Sequence, residues 1–236
     1  MHYDIIGDNL QMVKLSLDEG ETIMADAGAM VNMSGNVTFK TEMTGGLWKG
    51  IKRVMAQESL FMTQFAPKGG PGFTSFAGNV PGKIFPREIK EGEEFIAQKD
   101  AFLCAEKGID LDIAFTKRIR SGLFGGEGFI LERLSGEGMV FLHCCGDIVE
   151  LNLAPDEVVR VETGLVVGFE STVDYSIDLA GGVKTVLFGG EGLFLTTLKG
   201  PGKVVLQSMD VAKLAHSLLP YLPRNTSGNS GFQIKI

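Results

Sequence analysis

The sequence predicts an all-β protein: three tandem β-sandwich or double-stranded β-helix-like repeats with pseudo-threefold symmetry, followed by a short C-terminal helix. Three observations carry this expectation. The hexapeptide LFGGEG occurs twice, at 123–128 and 187–192, and the likeness continues beyond it. Short runs that alternate apolar and polar residues recur along the chain, the period of strands with one buried face. Glycines, 32 of them, are spread from end to end between those runs, as frequent turns require.

The repeat register follows from two blocks. LFGGEGFILERLSGEGMVFLHC (123–144) lies over LFGGEGLFLTTLKGPGKVVLQS (187–208), 64 residues further on. Glu127 then matches Glu191, Leu134 matches Leu198, and Gly136 and Gly138 match Gly200 and Gly202. A weaker third copy, ESLFMTQFAPKGGPGFTSFAG, starts at Glu58 and sets Phe65 over Leu134. The second block aligns GETIMADAGAMV (20–31), GEEFIAQKDAFL (92–103) and DEVVRVETGLVV (156–167) without gaps. Gly28, Asp100 and Gly164 become equivalent, at spacings of 72 and 64 residues. The longer first interval places extra residues near GGLWKGIKR and in APKGGPGFTSFAGNVPG, where surface loops absorb insertions. The repeats run roughly 1–80, 81–145 and 146–209 within one unit spanning 1–236. Each is close to the smallest size that folds alone, so shared interfaces are expected.

Taken in order, VKLSL, EFIAQ, FILERL, MVFLHC, IVELNL, VVRVE, LVVGFE, VDYSID and FLTTL read as strands rich in β-branched and aromatic residues. LDEG, KEGE, SGEG, APDE and KGPG read as hairpin turns between them. Two pieces have helical spacing. In GGLWKGIKRVMAQE, Trp48, Ile51 and Met55 share one side while Lys49, Lys52 and Arg53 point elsewhere. In SMDVAKLAHSLLPYLP, a helix over about 209–219 places Val211, Leu214 and Leu218 on one face, with Ser208 as N-cap and Pro220 and Pro223 as the stop. The polar tail 224–236 is expected to be flexible.

With 22 basic and 29 acidic residues the net charge is −7. That sign repels phosphate backbones, so nucleic acid is an unfavoured partner. The three cysteines lack CxxC spacing, and adjacent Cys144 and Cys145 are poorly placed to bridge each other. A reducing compartment suits them. The N-terminus has no basic start followed by an apolar segment, and no apolar run approaches roughly 18 residues. The expectation is a soluble, cytoplasmic protein.

GGLWKGIKR…ESLFMTQF, SGLFGGEGFILERLSGEG and LFGGEGLFLTTLKGPGKVVLQS, in this order, resemble the signature blocks of the altered-inheritance-of-mitochondria (number twenty-four) family of bacterial and archaeal proteins, from about residue 3 to about residue 222. The resemblance implies three repeats, each similar to the subunit of the tryptophan-regulated RNA-binding attenuation protein, around a pseudo-threefold axis. It implies no enzymatic activity and no catalytic residues to carry over. Mitochondrial members are linked to inner-membrane organisation, but no transit peptide or membrane anchor is legible in this chain.

Candidate chemistry is sparse. GGEG before a strand lacks the strand–GxGxxG–helix order of a dinucleotide site, so these glycines read as turns or bulges. The equivalent glutamates Glu58, Glu127 and Glu191 would bind a cation or share a proton if the repeats face one axis; otherwise each holds turn amides of its own repeat. Trp48, Lys49, Lys52 and Arg53, joined by Lys117, Arg118 and Arg120, form a basic stretch suited to an anionic surface or to plain solvation. Only Lys184 stands there in the third repeat. His143, Cys144 and Cys145 lack the spread ligands of a metal site and read as buried core. No metal, cofactor or nucleophile–base pair is expected. The functional expectation is a non-catalytic scaffold or interaction protein, self-assembling through sheet edges or associated with a membrane surface. Small-molecule or ion binding is the alternative, and RNA binding follows only from fold analogy.

Overall fold

The computed structural model describes residues 1–26, 28–43, 61–117, 129–179 and 194–221. Nineteen strands run along them. The first seven are β1 (His2–Ile6), β2 (Met12–Leu17), β3 (Ile23–Asp26), β4 (Met30–Met33), β5 (Val37–Met43), β6 (Phe61–Pro67) and β7 (Gly72–Ala77). Then come β8 (Gly82–Ile89), β9 (Glu94–Gln98), β10 (Phe102–Glu106), β11 (Ile109–Lys117), β12 (Phe129–Gly136) and β13 (Gly138–Cys145). The last are β14 (Ile148–Leu153), β15 (Val158–Glu162), β16 (Val166–Glu170), β17 (Asp174–Leu179), β18 (Phe194–Lys199) and β19 (Gly202–Gln207). One helix, α1 (Val211–Leu218), follows. The structure is mostly β, with several antiparallel sheets and one short C-terminal helix.

Four sheets are formed. The first has the order β1-β2-β7-β4, the second β5-β6-β3-β10-β13-β8, the third β11-β12-β9-β16-β19-β14 and the fourth β15-β18-β17. The third order is the second with six added to every strand number. Both six-stranded sheets are two triplets joined edge to edge. In the second, β3 meets β10 with Ala25 opposite Cys104; in the third, β9 meets β16 with Ala97 opposite Gly168. A bulge sits at the same place in three pairings: between Phe102 and Cys104, Val166 and Gly168, and Met30 and Asn32.

Apolar cores join successive sheets. Val13, Leu15, Leu17 and Phe76 pack on Ile23, Phe65, Leu103 and Phe141, binding the first sheet to the second. Met24, Phe85, Phe102 and Leu142 meet Phe95, Ile109, Leu134 and Val205 between the second and third. Phe129, Leu131, Phe169 and Val204 meet Ile177 and Leu198 between the third and fourth. β2 alternates buried and more open residues because only one of its faces is covered. β13 lies inside a sheet packed on both faces and is buried from Val140 to Cys145.

Several expectations need correction. LDEG, KEGE and APDE do reverse the chain, with Gly20, Gly92 and Asp156 at positive φ (97°, 81° and 64°). Yet none closes a hairpin. Each carries the chain from one sheet to the facing one: β2 to β3, β8 to β9, β14 to β15. SGEG and KGPG do the same between β12 and β13 and between β18 and β19. The helix cap is also two residues further on. Asp210, not Ser208, accepts the Lys213 amide at 2.7 Å, while Ser208 Oγ accepts the Asp147 amide at 2.8 Å. Asp210 immediately precedes the first helical residue, the position from which a side chain reaches the free amides of the first turn. The apolar face of α1 is not buried, since Val211 and Leu218 are both exposed.

Candidate functional site

The candidate ion-binding residues Glu58, Glu127 and Glu191 and the candidate surface-contact residues Trp48, Lys49, Lys52 and Arg53 lie outside the described residues. Both LFGGEG copies, Arg118, Arg120, Lys184 and the tail 224–236 lie outside them too. Lys117 ends β11.

A different carboxylate trio is described, and sequence reasoning missed its role. Glu21 accepts the Asp18 amide at 2.8 Å, Glu93 the Lys90 amide at 3.4 Å, and Glu157 the Ala154 amide at 2.8 Å. Each turn closes with a backbone bond from the same glutamate to the carbonyl three residues back. Here the carboxylate satisfies an amide that the turn leaves free, which is a structural duty. The signal was present: these glutamates occupy the second column of the GETIM, GEEFI, DEVVR block. Glu106 and Glu170 form a second such set, accepting the Met139 amide at 2.7 Å and the Lys203 amide at 3.0 Å.

Two clefts gather charge. One, of about 430 Å³, has Glu21, Glu88, Lys90, Glu106 and Lys107 on its walls. The other, of about 740 Å³, lies beside β8 and β14 and is walled by Phe85, Arg87, Glu93, Ile148, Glu150 and Lys203. Arg87 lies 3.2 Å from Glu170 and 3.9 Å from Glu93, with its guanidinium 5.5 Å from the Phe95 ring centre. Lys203 meets Glu150 at 2.8 Å. Two of the cations on its walls, Arg87 and Lys203, are thus ion-paired, and Lys90 and Glu88 line it as well.

His143 and the cysteines are core. The His143 ring packs against the backbone of Gly78 and Gly82. Burial lowers its pKa, opposed by a backbone hydrogen bond with Val80. Among the described residues no group of three His, Cys, Asp or Glu side chains could hold a metal ion. Cys104, Cys144 and Cys145 are free and buried. Burial pushes the Cys144 thiol up to about 12 and raises those of Cys104 and Cys145. Thiolate is the reactive form. At pH 8 the folded protein is therefore expected to leave Cys104 and Cys144 unmodified by iodoacetamide over hours, while denaturant exposes all three within minutes. Rapid native labelling of Cys144, read by peptide mass spectrometry, would contradict this burial.

Each of the four sheets has two end strands, and two of these eight, β4 and β15, stand out. β4 ends the first sheet and β15 ends the fourth. Among the described residues no strand pairs with the outer side of either. Val31 of β4 is 50% exposed, whereas Leu103 and Val167, at the same place beside the bulges of β10 and β16, are 3% and 0% exposed. Phe39 on β5 is 57% exposed, against 7% for Leu111 at the matching position of β11.

A family profile described as Mitochondrial biogenesis AIM24 matches residues 3–209, from β1 past the end of β19. The chain belongs to the AIM24 family. Its match covers all four sheets and stops before α1. The uncharacterized protein M6_Spy0233 of Streptococcus pyogenes serotype M6 is 29% identical over 226 residues, covering 92% of this chain and 88% of that one. The crystal structure of protein SPYM3_0169 from Streptococcus pyogenes is similar with a TM-score of 0.76 and 27% identity, over 94% of this chain and 99% of that one. No helix among the described residues is long and apolar enough to cross a membrane.

Proposed function

We propose that this AIM24-family chain is a non-catalytic scaffold or interaction protein, built of three repeats with pseudo-threefold character and acting through its exposed sheet edges. The observation that carries the reading is the exposure of β4, whose counterparts β10 and β16 are buried. Supporting the repeats are the six-strand step between the sheet orders, the three matching bulges and the three glutamate-closed turns. Repeats of roughly 1–80, 81–145 and 146–209 then each supply one triplet to each of two sheets. An uncharged, apolar edge is a template for another strand.

Sedimentation velocity across a wide concentration range tests this. Wild-type protein is expected to associate as concentration rises, and the paired substitutions Val31→Lys and Val158→Lys are expected to weaken that association at least tenfold. A membrane surface is the second reading, favoured by the exposed Val211, Leu218 and Tyr221 in and beside α1. It predicts co-sedimentation with anionic vesicles that Val211→Asp abolishes. A strictly monomeric protein that also ignores vesicles would overturn the interaction reading as a whole.

A further inference from the structure

Among the open edges, those of β4 and β15 belong to triplets that correspond to the two halves of a six-stranded sheet. In the second and third sheets a β5-β6-β3 or β11-β12-β9 triplet joins a β10-β13-β8 or β16-β19-β14 triplet. One more step of six along the chain gives β17-β18-β15, which is the whole fourth sheet. The triplet that should follow corresponds to β4-β7-β2, and that is the first sheet with β1 added at its far side. So the chain begins with the right half of a six-stranded sheet and ends with the left half. The two halves are not hydrogen-bonded to each other: β15 and β4 are end strands of separate sheets.

Three cores each bind one sheet to the next. The first and second sheets share one core and the third and fourth share another, and neither core includes residues from both end sheets. Met30, Val31 and Arg160 are exposed, whereas the residues at the same places in the two joined sheets, Phe102, Leu103, Met24 and Ile96 among them, are buried. β4 (MVNM) has no charged residue or proline to discourage pairing, and Met30 and Val31 are exposed. β15 (VVRVE) has three valines, a strand-favouring composition, beside Arg160 and a Glu162 that is ion-paired with Lys213 of α1. Its Arg160 stands where β3 has Met24 and β9 has Ile96.

We infer that β15 of one molecule pairs antiparallel with β4 of a second copy of this chain, completing a β17-β18-β15-β4-β7-β2 sheet between molecules. This rests on the repeat reading proposed above and names the partner of those edges. The two formed joints fix the register. Ala25 faces Cys104 and Ala97 faces Gly168. Stepping these pairs by the 72- and 64-residue repeat spacings puts Val161 opposite Asn32 and Arg160 opposite Met33. The contact is heterologous, since each molecule offers one edge of each kind. It generates a ring where the rotation closes and a filament where it does not.

Cysteine cross-linking reads the register directly, because residues directly opposite in antiparallel strands have Cα atoms about 4.5–5.5 Å apart, inside the range a disulfide spans. Asn32→Cys and Val161→Cys change exposed or half-exposed edge positions, and the native thiols are buried. Mixed under mild oxidation, the two single variants are expected to give a disulfide-linked heterodimer, and neither alone should do so. A second pair, Met33→Cys with Arg160→Cys, should behave alike. Asn32→Cys with Val159→Cys, two residues out of register and about 7–8 Å apart, should cross-link at least tenfold less. Three results would overturn the inference. Dimers from Asn32→Cys alone would mean that like edges pair. An intrachain disulfide in the Asn32→Cys/Val161→Cys double variant, giving a cross-linked monomer, would mean that the chain closes on itself. Absence of cross-linking in both in-register mixtures, at concentrations where the wild type associates, would place the contact elsewhere. Each of these sinks head-to-tail pairing, whereas the scaffold reading fails only with the loss of all association.

Discussion

Gly82→Ala is expected to destabilise the protein by about 3 kcal/mol, the upper end of overpacking effects, and to lower the melting temperature by roughly 6–12 °C. A Cβ at Gly82 would collide with the backbone carbonyl oxygen of Cys144 and close on the His143 ring at 2.9 Å from Nε2. A flexible side chain could turn aside, but this carbonyl belongs to β13, which is held between β10 and β8. The glycine cannot retreat either. Its own carbonyl accepts the Gln11 amide at 3.1 Å, and it forms isolated parallel bridges to Leu10 and to Gly146. Three distant parts of the chain therefore meet at one residue without a side chain. Gly35→Ala is the control. Nothing lies within 4 Å of its added Cβ, so no loss of stability is expected. Equal midpoints for the two variants in urea denaturation would refute the steric account.

Phe141→Ala should lose about 4 kcal/mol, within the usual range for emptying a buried phenylalanine site. Phe141 is fully buried and lies edge-on to Tyr3 with ring centres 5.0 Å apart. It faces the core that binds the first sheet to the second, together with Phe65 and Phe76, themselves edge-on at 5.2 Å. β13 is fixed on both sides by hydrogen bonds, so the site cannot collapse to refill the space. Phe39→Ala makes the comparison informative. The same chemical deletion at a side chain more than half exposed should cost about 1 kcal/mol or less in the dissociated protein. A small effect at Phe141 would mean that this core is loosely packed.

Nine of the nineteen strands, β2, β9 and β12–β18, were legible as short strand-like runs, VKLSL with the period of two that one-sided burial writes, whereas β1, β3–β8, β10, β11 and β19 were not read as strands. What lay across each turn was not legible. A glycine or aspartate at positive φ states that the chain reverses, but a reversal is equally compatible with pairing beside the previous strand and with packing over it. LDEG, KEGE and APDE are the same turn three times, and all three take the second course. The deciding feature is long-range: β3 finds its partners in β6 and β10, tens of residues away. The charged residues divide in a similar way. Glu21, Glu93 and Glu157 stood in an aligned column, yet their residue type could not distinguish an amide clamp from a ligand. The exposed edges of β4 and β15 were hidden for another reason, since VVRVE reads as an ordinary strand until its neighbours are known and MVNM was not read as a strand. For α1, Asp210 is the cap because the helix starts at Val211, while Ser208 is engaged by the Asp147 amide.

Because sheets are shared by distant stretches of chain, order of synthesis matters for this protein. The second sheet draws on strands from Ile23 in β3 to Cys145 in β13, so more than half the polypeptide must emerge before it can close. Until then β3 has no β10, and the apolar faces of β2 and β6 wait for Phe141. Contacts at such long separation form slowly. A nascent chain of this design spends its early life as an incomplete sheet, and the ribosome's pace becomes part of how it reaches its shape.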